Sequence, residues 1–226
     1  MPVRKALFFD VDGTLVDSAA AHILFWRDVD KELKLELDIP NILDAEACKK
    51  ILGVPAEVFL RKNGVSEEQI KHAIRLYEER FSQDDRYISP LFSGVSEMLE
   101  KLKECNHILG IVTANGEANA KRALDKHWQL FEHRFCLGDS KKDYDRNKVG
   151  VLSSISKKLK RDGINEFRYI GDRIVDYEAA RDAGVRFIGV GYGWGKFSQI
   201  EEMFLVRKSV TGLENILVCE PGNTSI

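Results

Sequence analysis

The chain has 226 residues, a formal net charge of −2 and a composition of 44% hydrophobic and 31% charged residues. This length can bury a substantial core, and the composition is that of an ordinary globular protein. Neither the net charge nor any basic run favours nucleic-acid binding, and no apolar window is long enough to span a bilayer. We therefore expect a globular protein with no nucleic-acid or membrane partner.

The cysteines and the N-terminus predict a cytoplasmic location. The cysteines are too scattered to form a zinc site, which favours reduced thiols; they are Cys48, Cys105, Cys136 and Cys219. Residues 1–5 contain no signal-peptide core and lead directly into a strand-like segment.

The first predicted strand, Ala6–Phe9, is followed by a long helical interval from about Ser18 to Ser89. Its candidate helices are Ala21–Leu35, Ala45–Leu52, Ala56–Lys62 and Glu67–Phe81. Ser66, followed by two glutamates, is a good N-terminal cap for the last of them. An interval of this length without strands predicts an inserted α-helical bundle over residues 18–89.

Beyond this interval, apolar strands alternate with amphipathic helices. The predicted strands are Ile108–Val112, Phe135–Leu137, Phe167–Ile170 and Val185–Val190. The predicted helices are Val95–Glu104, Ala118–His127, Val149–Arg161 and Tyr177–Asp182. This alternation predicts an α/β fold with a doubly wound, mostly parallel, Rossmann-like sheet in residues 1–17 and 90–226.

Polar side chains follow three of the predicted strands where each one ends. They are Asp10 and Asp12, Thr113 and Asn115, and Asp172 and Asp176. Taken singly, such residues are common in turns and helix caps. Because ligands bind at the carboxyl ends of parallel strands, their coincidence predicts one site. Four carboxylates would repel one another without a cation, and their hard oxygens favour Mg²⁺.

These motifs resemble those of the haloacid dehalogenase superfamily, in its phosphatase-type, phosphoglycolate phosphatase-like members. The segment from Asp10 to Thr14 is similar to the first motif, Thr113 to the second, and the segment from Gly171 to Asp176 to the fourth. The helical insert lies where that superfamily has its cap domain. Arg173 stands where a small residue is frequent, and it is open whether it contacts phosphate or solvent.

Three lysines are candidates for the third motif. Lys148 is the best candidate, because its spacing to the fourth motif leaves room for one helix and one strand. Val149 follows it where the superfamily commonly has proline, and Lys141 and Lys142 remain alternatives.

The resemblance implies a Mg²⁺-dependent phosphatase that hydrolyses a small phosphorylated metabolite through an aspartyl-phosphate intermediate. It makes Asp10 the nucleophile and Asp12 the general acid and then base. Asp10, the backbone carbonyl of Asp12, and Asp172 would hold Mg²⁺, with Asp176 supporting it directly or through water.

Thr113, Asn115 and Lys148 would bind the substrate phosphate. The acid at position 12 favours phosphoryl transfer over dehalogenation, because dehalogenating members typically lack one there. The alternative within the superfamily is a phosphomutase acting on a sugar phosphate. A receiver-like signalling domain and a non-catalytic binding protein are further alternatives, and the oligomeric state is expected to be monomer or homodimer.

Overall fold

The computed structural model describes residues 4–41, 48, 52, 55–139, 147–195, 197 and 205–218. The chain divides into two compact units, Met1–Val16 with Leu91–Ile226, and Asp17–Pro90. Most of the candidate helix Ala45–Leu52, the two alternative lysines Lys141 and Lys142, and Cys219 lie outside the described residues. Within the described part of the chain, no helix combines the length and apolar character needed to cross a membrane.

The first unit contains a six-stranded sheet in the order β3-β2-β1-β4-β5-β6. Its strands are β1 Lys5–Phe9, β2 Ile108–Thr113, β3 His133–Cys136, β4 Glu166–Gly171, β5 Arg186–Val190 and β6 Leu205–Arg207. Every neighbouring pair is parallel, which confirms the predicted fold class. Because the strand order reverses between β1 and β4, the carboxyl end of β1 lies at the topological switch point of the sheet.

Helices cover both faces of this sheet. In chain order the α-helices of the described residues are α1 Ala19–Leu33, α2 Ala56–Lys62, α3 Glu67–Arg80, α4 Val95–Glu104, α5 Glu117–Leu124, α6 Lys148–Arg161, α7 Ile174–Asp182 and α8 Val210–Val218. Leu7 and Phe9 pack in one apolar cluster with residues of α4, α5 and α8. Ala6 and Phe8 pack in the opposite cluster, with residues of α6 and α7. Because both faces are buried, β1 is apolar at nearly every position rather than alternating.

Several boundaries differ from the sequence-based prediction. β3 begins two residues before Phe135, and α5 ends at Leu124, where a 3₁₀ helix, Asp125–Leu130, continues the chain. α7 begins at Ile174 rather than Tyr177, because the Arg173 N–H donates to Asp176 Oδ2 at 3.1 Å and closes its first turn. β6 and α8 were not predicted.

The second unit is a group of helices with an aromatic core. Phe25 packs edge-on against Trp26, Tyr77, Phe81 and Tyr87, with ring centroids 5.1–5.6 Å apart. The predicted cap of α3 is confirmed, since the Ser66 hydroxyl accepts a hydrogen bond from the third residue of the helix.

Candidate active site

Asp10 occupies the first position beyond β1. Its backbone N–H donates to the Ile170 carbonyl at 2.8 Å, so the pairing of β1 with β4 extends to this residue. The chain then turns tightly, and Gly13 adopts a left-handed conformation with φ of 76°. A Cβ atom at this position would overlap the carboxylate of Asp172. Glycine is therefore required here both for its backbone conformation and for the close approach of two motifs.

Asp172 is held by the loop that follows β5. It is fully buried, and its Oδ2 accepts backbone hydrogen bonds from Trp194 at 2.8 Å and from Gly195 at 3.3 Å. Its Oδ1 accepts no hydrogen bond. Side chains on Gly193 or Gly195 would overlap Asp172, so the loop can approach only as bare backbone. This role was not predicted from the sequence, although glycine at alternate positions of the loop was a visible signal of a close backbone approach.

Asp176 and Lys148 form the second half of the site. Lys148 begins α6, and its Nζ lies 2.6 Å from Asp176 Oδ1 and 3.0 Å from Asp10 Oδ1. The contact of Lys148 with Asp10 is an ion pair, and its geometry does not meet the requirements of a hydrogen bond, so Asp10 Oδ1 has no hydrogen-bond partner among the described residues. Tyr169, which was not predicted as a site residue, places its hydroxyl 3.3 Å from Asp176 Oδ1 and donates to the Val112 carbonyl at 2.8 Å.

The buried charges of this group shift one another's pKa values. Burial raises the pKa of Asp172 to about 8, and the negative charges of Asp176 and Asp10 add to the effect. Burial likewise raises the pKa of Asp10 to about 6, against the opposing charge of Lys148. Burial disfavours the charge of Lys148 itself, but Asp10 and Asp176 outweigh this and hold the pKa of Lys148 well above its usual range.

The three carboxylates fit a hard divalent cation. One oxygen each from Asp10, Asp172 and Asp176 lies within 4.8 Å of the others. Asp172 Oδ1 is buried with no hydrogen-bond partner, as a carboxylate oxygen aimed at a cation would be. Mg²⁺ is typically held by one or two protein carboxylates together with water and phosphate. Asp176 accepts from Lys148 and from the Arg173 N–H, so Asp10 and Asp172 have more free ligand capacity than Asp176.

We expect Mg²⁺ to displace protons from this site. The ordinary aspartate pKa is 3.8, so the metal-free folded protein holds protons that the unfolded chain has lost. The free energy of unfolding of the metal-free protein should therefore fall as pH rises from about 4 to about 8. Mg²⁺ should bind more tightly across the same interval and release about one proton per ion near neutral pH. Calorimetry in two buffers of different ionisation enthalpy measures this release, and identical heats in both buffers would contradict it.

Gly195→Ala should weaken Mg²⁺ binding without removing a ligand. The new Cβ would overlap the Asp172 carbonyl and push the loop's N–H donors away from Asp172 Oδ2. Loss of partners that orient a ligand costs about 10- to 100-fold in metal affinity. Gly191→Ala is the matched control from the same loop, since its Cβ would meet Val206 at 3.3 Å and no atom of Asp172. Equal Mg²⁺ affinities of the two variants, measured by calorimetry, would argue against a positioning role of the loop.

The residues after β2 are placed differently from the carboxylates. Thr113 is buried at the end of β2, and its Oγ1 accepts the backbone N–H of Asn115 at 3.1 Å. The side-chain Nδ2 of Asn115 donates to Asp12 Oδ2 at 2.8 Å. Asn115 was predicted to bind phosphate, and the structure brings its amide to the carboxylate of Asp12. Arg173 is half-buried, and its charge partly offsets the rise in the pKa of Asp172.

Comparison with known proteins supports one family. The model of the family described as haloacid dehalogenase-like hydrolase matches residues 7–190. The 5'-nucleotidase of Pseudomonas aeruginosa is 30% identical over 198 residues, which cover 86% of each chain. Phosphoglycolate phosphatase 1 of the same organism is 26% identical, over 88% of this chain and 73% of that protein.

A third relative is named as a kinase and not as a nucleotidase or phosphatase. Tyrosine-protein kinase PtkA of Mycobacterium tuberculosis is 27% identical, over 88% of this chain and 66% of that protein. A solved structure of PtkA matches this fold with a TM-score of 0.74 at 26% identity, over 95% of this chain and 98% of that one.

Proposed function

Because this chain belongs to the haloacid dehalogenase-like hydrolase family and is a phosphoric monoester hydrolase, we propose that it is a Mg²⁺-dependent phosphatase of a small phosphorylated metabolite, working through an aspartyl-phosphate. The observation that carries the proposal is the position of Lys148. Its Nζ contacts Asp10 and Asp176 beside the unpartnered oxygen of Asp172. The proposed nucleophile Asp10, the ammonium group of Lys148 and the Asp172 oxygen that could bind a metal ion therefore lie together at one edge of the sheet.

Asp10 is the proposed nucleophile. One of its oxygens forms a bond to phosphorus while the ester P–O bond breaks and its electron pair passes to the leaving oxygen. Asp12 gives its proton to that oxygen, so the alcohol leaves uncharged. Water then attacks the phosphorus, Asp12 takes the proton of the water, and phosphate departs with the carboxylate of Asp10 restored.

Lys148 supplies the positive charge that this sequence of steps needs. Its contacts with Asp10 and Asp176 hold the ammonium in place before substrate arrives, so little reorganisation is required. Its charge opposes the burial that raises the pKa of Asp10 and so favours the ionised nucleophile. Thr113 is proposed to bind a phosphoryl oxygen. Mg²⁺, held by Asp10, the Asp12 carbonyl and Asp172 with support from Asp176, would supply charge neutralisation on the phosphoryl group.

We assign recognition of the rest of the substrate to the helical unit. Its bounds were predicted at 18–89, and the compact unit spans Asp17–Pro90. An inserted helical unit of this size would exclude bulky polymers, so the proposed substrate is small. A phosphoglycolate-type compound or a sugar phosphate is proposed. The relative named 5'-nucleotidase adds nucleoside monophosphates to the candidates.

A panel of phosphorylated metabolites tests the proposal. Phosphoglycolate, glucose 6-phosphate and a nucleoside 5'-monophosphate are incubated with and without Mg²⁺, and released phosphate is measured. Mg²⁺-dependent release from at least one compound is expected, and none across a broad panel would contradict the proposal. Isomerised sugar phosphate without phosphate release would identify the phosphomutase alternative. ATP with a tyrosine-containing peptide distinguishes hydrolysis from transfer to tyrosine, the activity in the name of PtkA.

A further inference from the structure

The side chain of Asn115 is fixed in one orientation by its own contacts. Its Oδ1 accepts the N–H of Gly116 at 2.9 Å and the Nδ2 of Asn119 at 3.1 Å. Because two donors point at this oxygen, the nitrogen of the amide must be the atom that faces Asp12. The hydrogen bond of 2.8 Å to Asp12 Oδ2 therefore has a defined donor and acceptor.

The backbone around Asn115 is held as firmly as its side chain. Its N–H donates to Thr113 Oγ1 at 3.1 Å, and its carbonyl accepts the N–H of Gly138 at 3.2 Å. A side chain on Gly138 would come within 3 Å of the backbone of Asn115 and Gly116, so the 3₁₀ turn that follows β3 packs directly on this turn. The amide is thus presented to Asp12 by a rigid support, as a positioning group requires.

We propose that Asn115 is the positioning residue of Asp12, which it orients for proton transfer to the leaving oxygen. This inference rests on the proposed role of Asp12 as general acid. Because Oδ2 accepts the amide N–H, Asn115 fixes the orientation of the Asp12 carboxyl group relative to the turn after β2. As the P–O bond breaks, its electron pair passes to the leaving oxygen, Asp12 releases its proton to that oxygen, and the resulting carboxylate still contacts Asn115 through Oδ2.

The proposal differs in kind from the predicted phosphate-binding role. A phosphate ligand contributes to binding and transition-state stabilisation whatever alcohol leaves. A group that positions the general acid accelerates the reaction only to the extent that the leaving oxygen requires protonation. The two roles therefore predict different dependence on the leaving group.

The test compares kcat/KM for phenyl phosphate and p-nitrophenyl phosphate, two aryl esters that differ by a para-nitro group, which lowers the basicity of the leaving oxygen. For Asn115→Ala we expect a loss of about 10- to 100-fold with phenyl phosphate and a much smaller loss with p-nitrophenyl phosphate. Lys121→Ala, on the exposed side of the adjoining α5, controls for general effects on the helix. Equal losses with both substrates would overturn the proposal in favour of the phosphate-binding role.

A double-mutant cycle separates this inference from the proposed function. In an Asp12→Ala background, Asn115→Ala should cause no further loss selective for phenyl phosphate. If Asp12→Ala itself does not change the ratio of the two substrates, the general-acid role fails. If Asp12→Ala changes the ratio and Asn115→Ala does not, only the positioning role fails.

A crystal structure of Asn115→Ala provides a readout that needs no activity. We expect the carboxylate of Asp12 to leave its present rotamer or to occupy more than one. An unchanged Asp12 side chain in a well-ordered Asn115→Ala structure would overturn the inference independently of the kinetics.

Discussion

Asp10→Asn should reduce Mg²⁺-dependent phosphate release by about 10⁴-fold or more, because a neutral amide cannot replace the attacking carboxylate. The substitution is nearly isosteric, so Lys148 keeps its contact with Asp176 at 2.6 Å. Burial raises the pKa of Asp10 to about 6, so removing this charge relieves a cost of burial in the metal-free protein. We therefore expect the inactive variant to fold with a thermal midpoint close to that of the wild type.

Rapid acid quench provides the decisive measurement for this prediction. The wild type should show a phosphoenzyme whose phosphoryl group maps to Asp10 by peptide mass spectrometry, and Asp10→Asn should show none. Asp162→Asn, an exposed aspartate at the end of α6, is the matched control and should retain full activity. A phosphoenzyme formed by Asp10→Asn at the wild-type rate would exclude Asp10 as the nucleophile.

Asp12→Ala should lower kcat/KM for an alkyl phosphate by about 10²- to 10⁴-fold and should spare an activated aryl phosphate. An alkoxide is a poor leaving group without a proton, whereas p-nitrophenolate leaves readily as an anion. The comparison uses kcat/KM because this ratio reports the step in which the leaving group departs.

The proposed role of Asp12 as the base for the hydrolytic water predicts a change in the time course of p-nitrophenol release. Without a base for the water, hydrolysis of the aspartyl-phosphate should become slower than its formation. Asp12→Ala should then release a burst of p-nitrophenol of about one equivalent per site, followed by slow turnover. Equal losses in kcat/KM with alkyl and aryl substrates would contradict the leaving-group acid, and absence of a burst would contradict the base.

The strand-end carboxylates were accessible from the sequence because apolar runs and the polar residues after them lie next to each other along the chain. Asp10 and Asp172 follow β1 and β4 where the prediction placed them, and the parallel sheet and family membership are confirmed. β6 has three residues, too few to give a periodic pattern, so it was missed. The choice between Lys148 and its neighbours was open in the sequence, and the structure brings Lys148 to Asp10 and Asp176.

The sequence by itself determined which residue types could carry the chemistry and at which edge of a sheet they would lie, because this information is local to each strand and its following turn. The tertiary structure alone decided their hydrogen-bond partners. Asn115 reaches Asp12 across 103 positions of the chain, and the backbone of Trp194 and Gly195 reaches Asp172 from the loop after the next strand. Such contacts depend on side-chain rotamers and on backbone N–H groups, which every residue type but proline carries, so residue types alone do not specify the partner. The alternate glycines of this loop indicate a close approach of the backbone but not the group that it approaches.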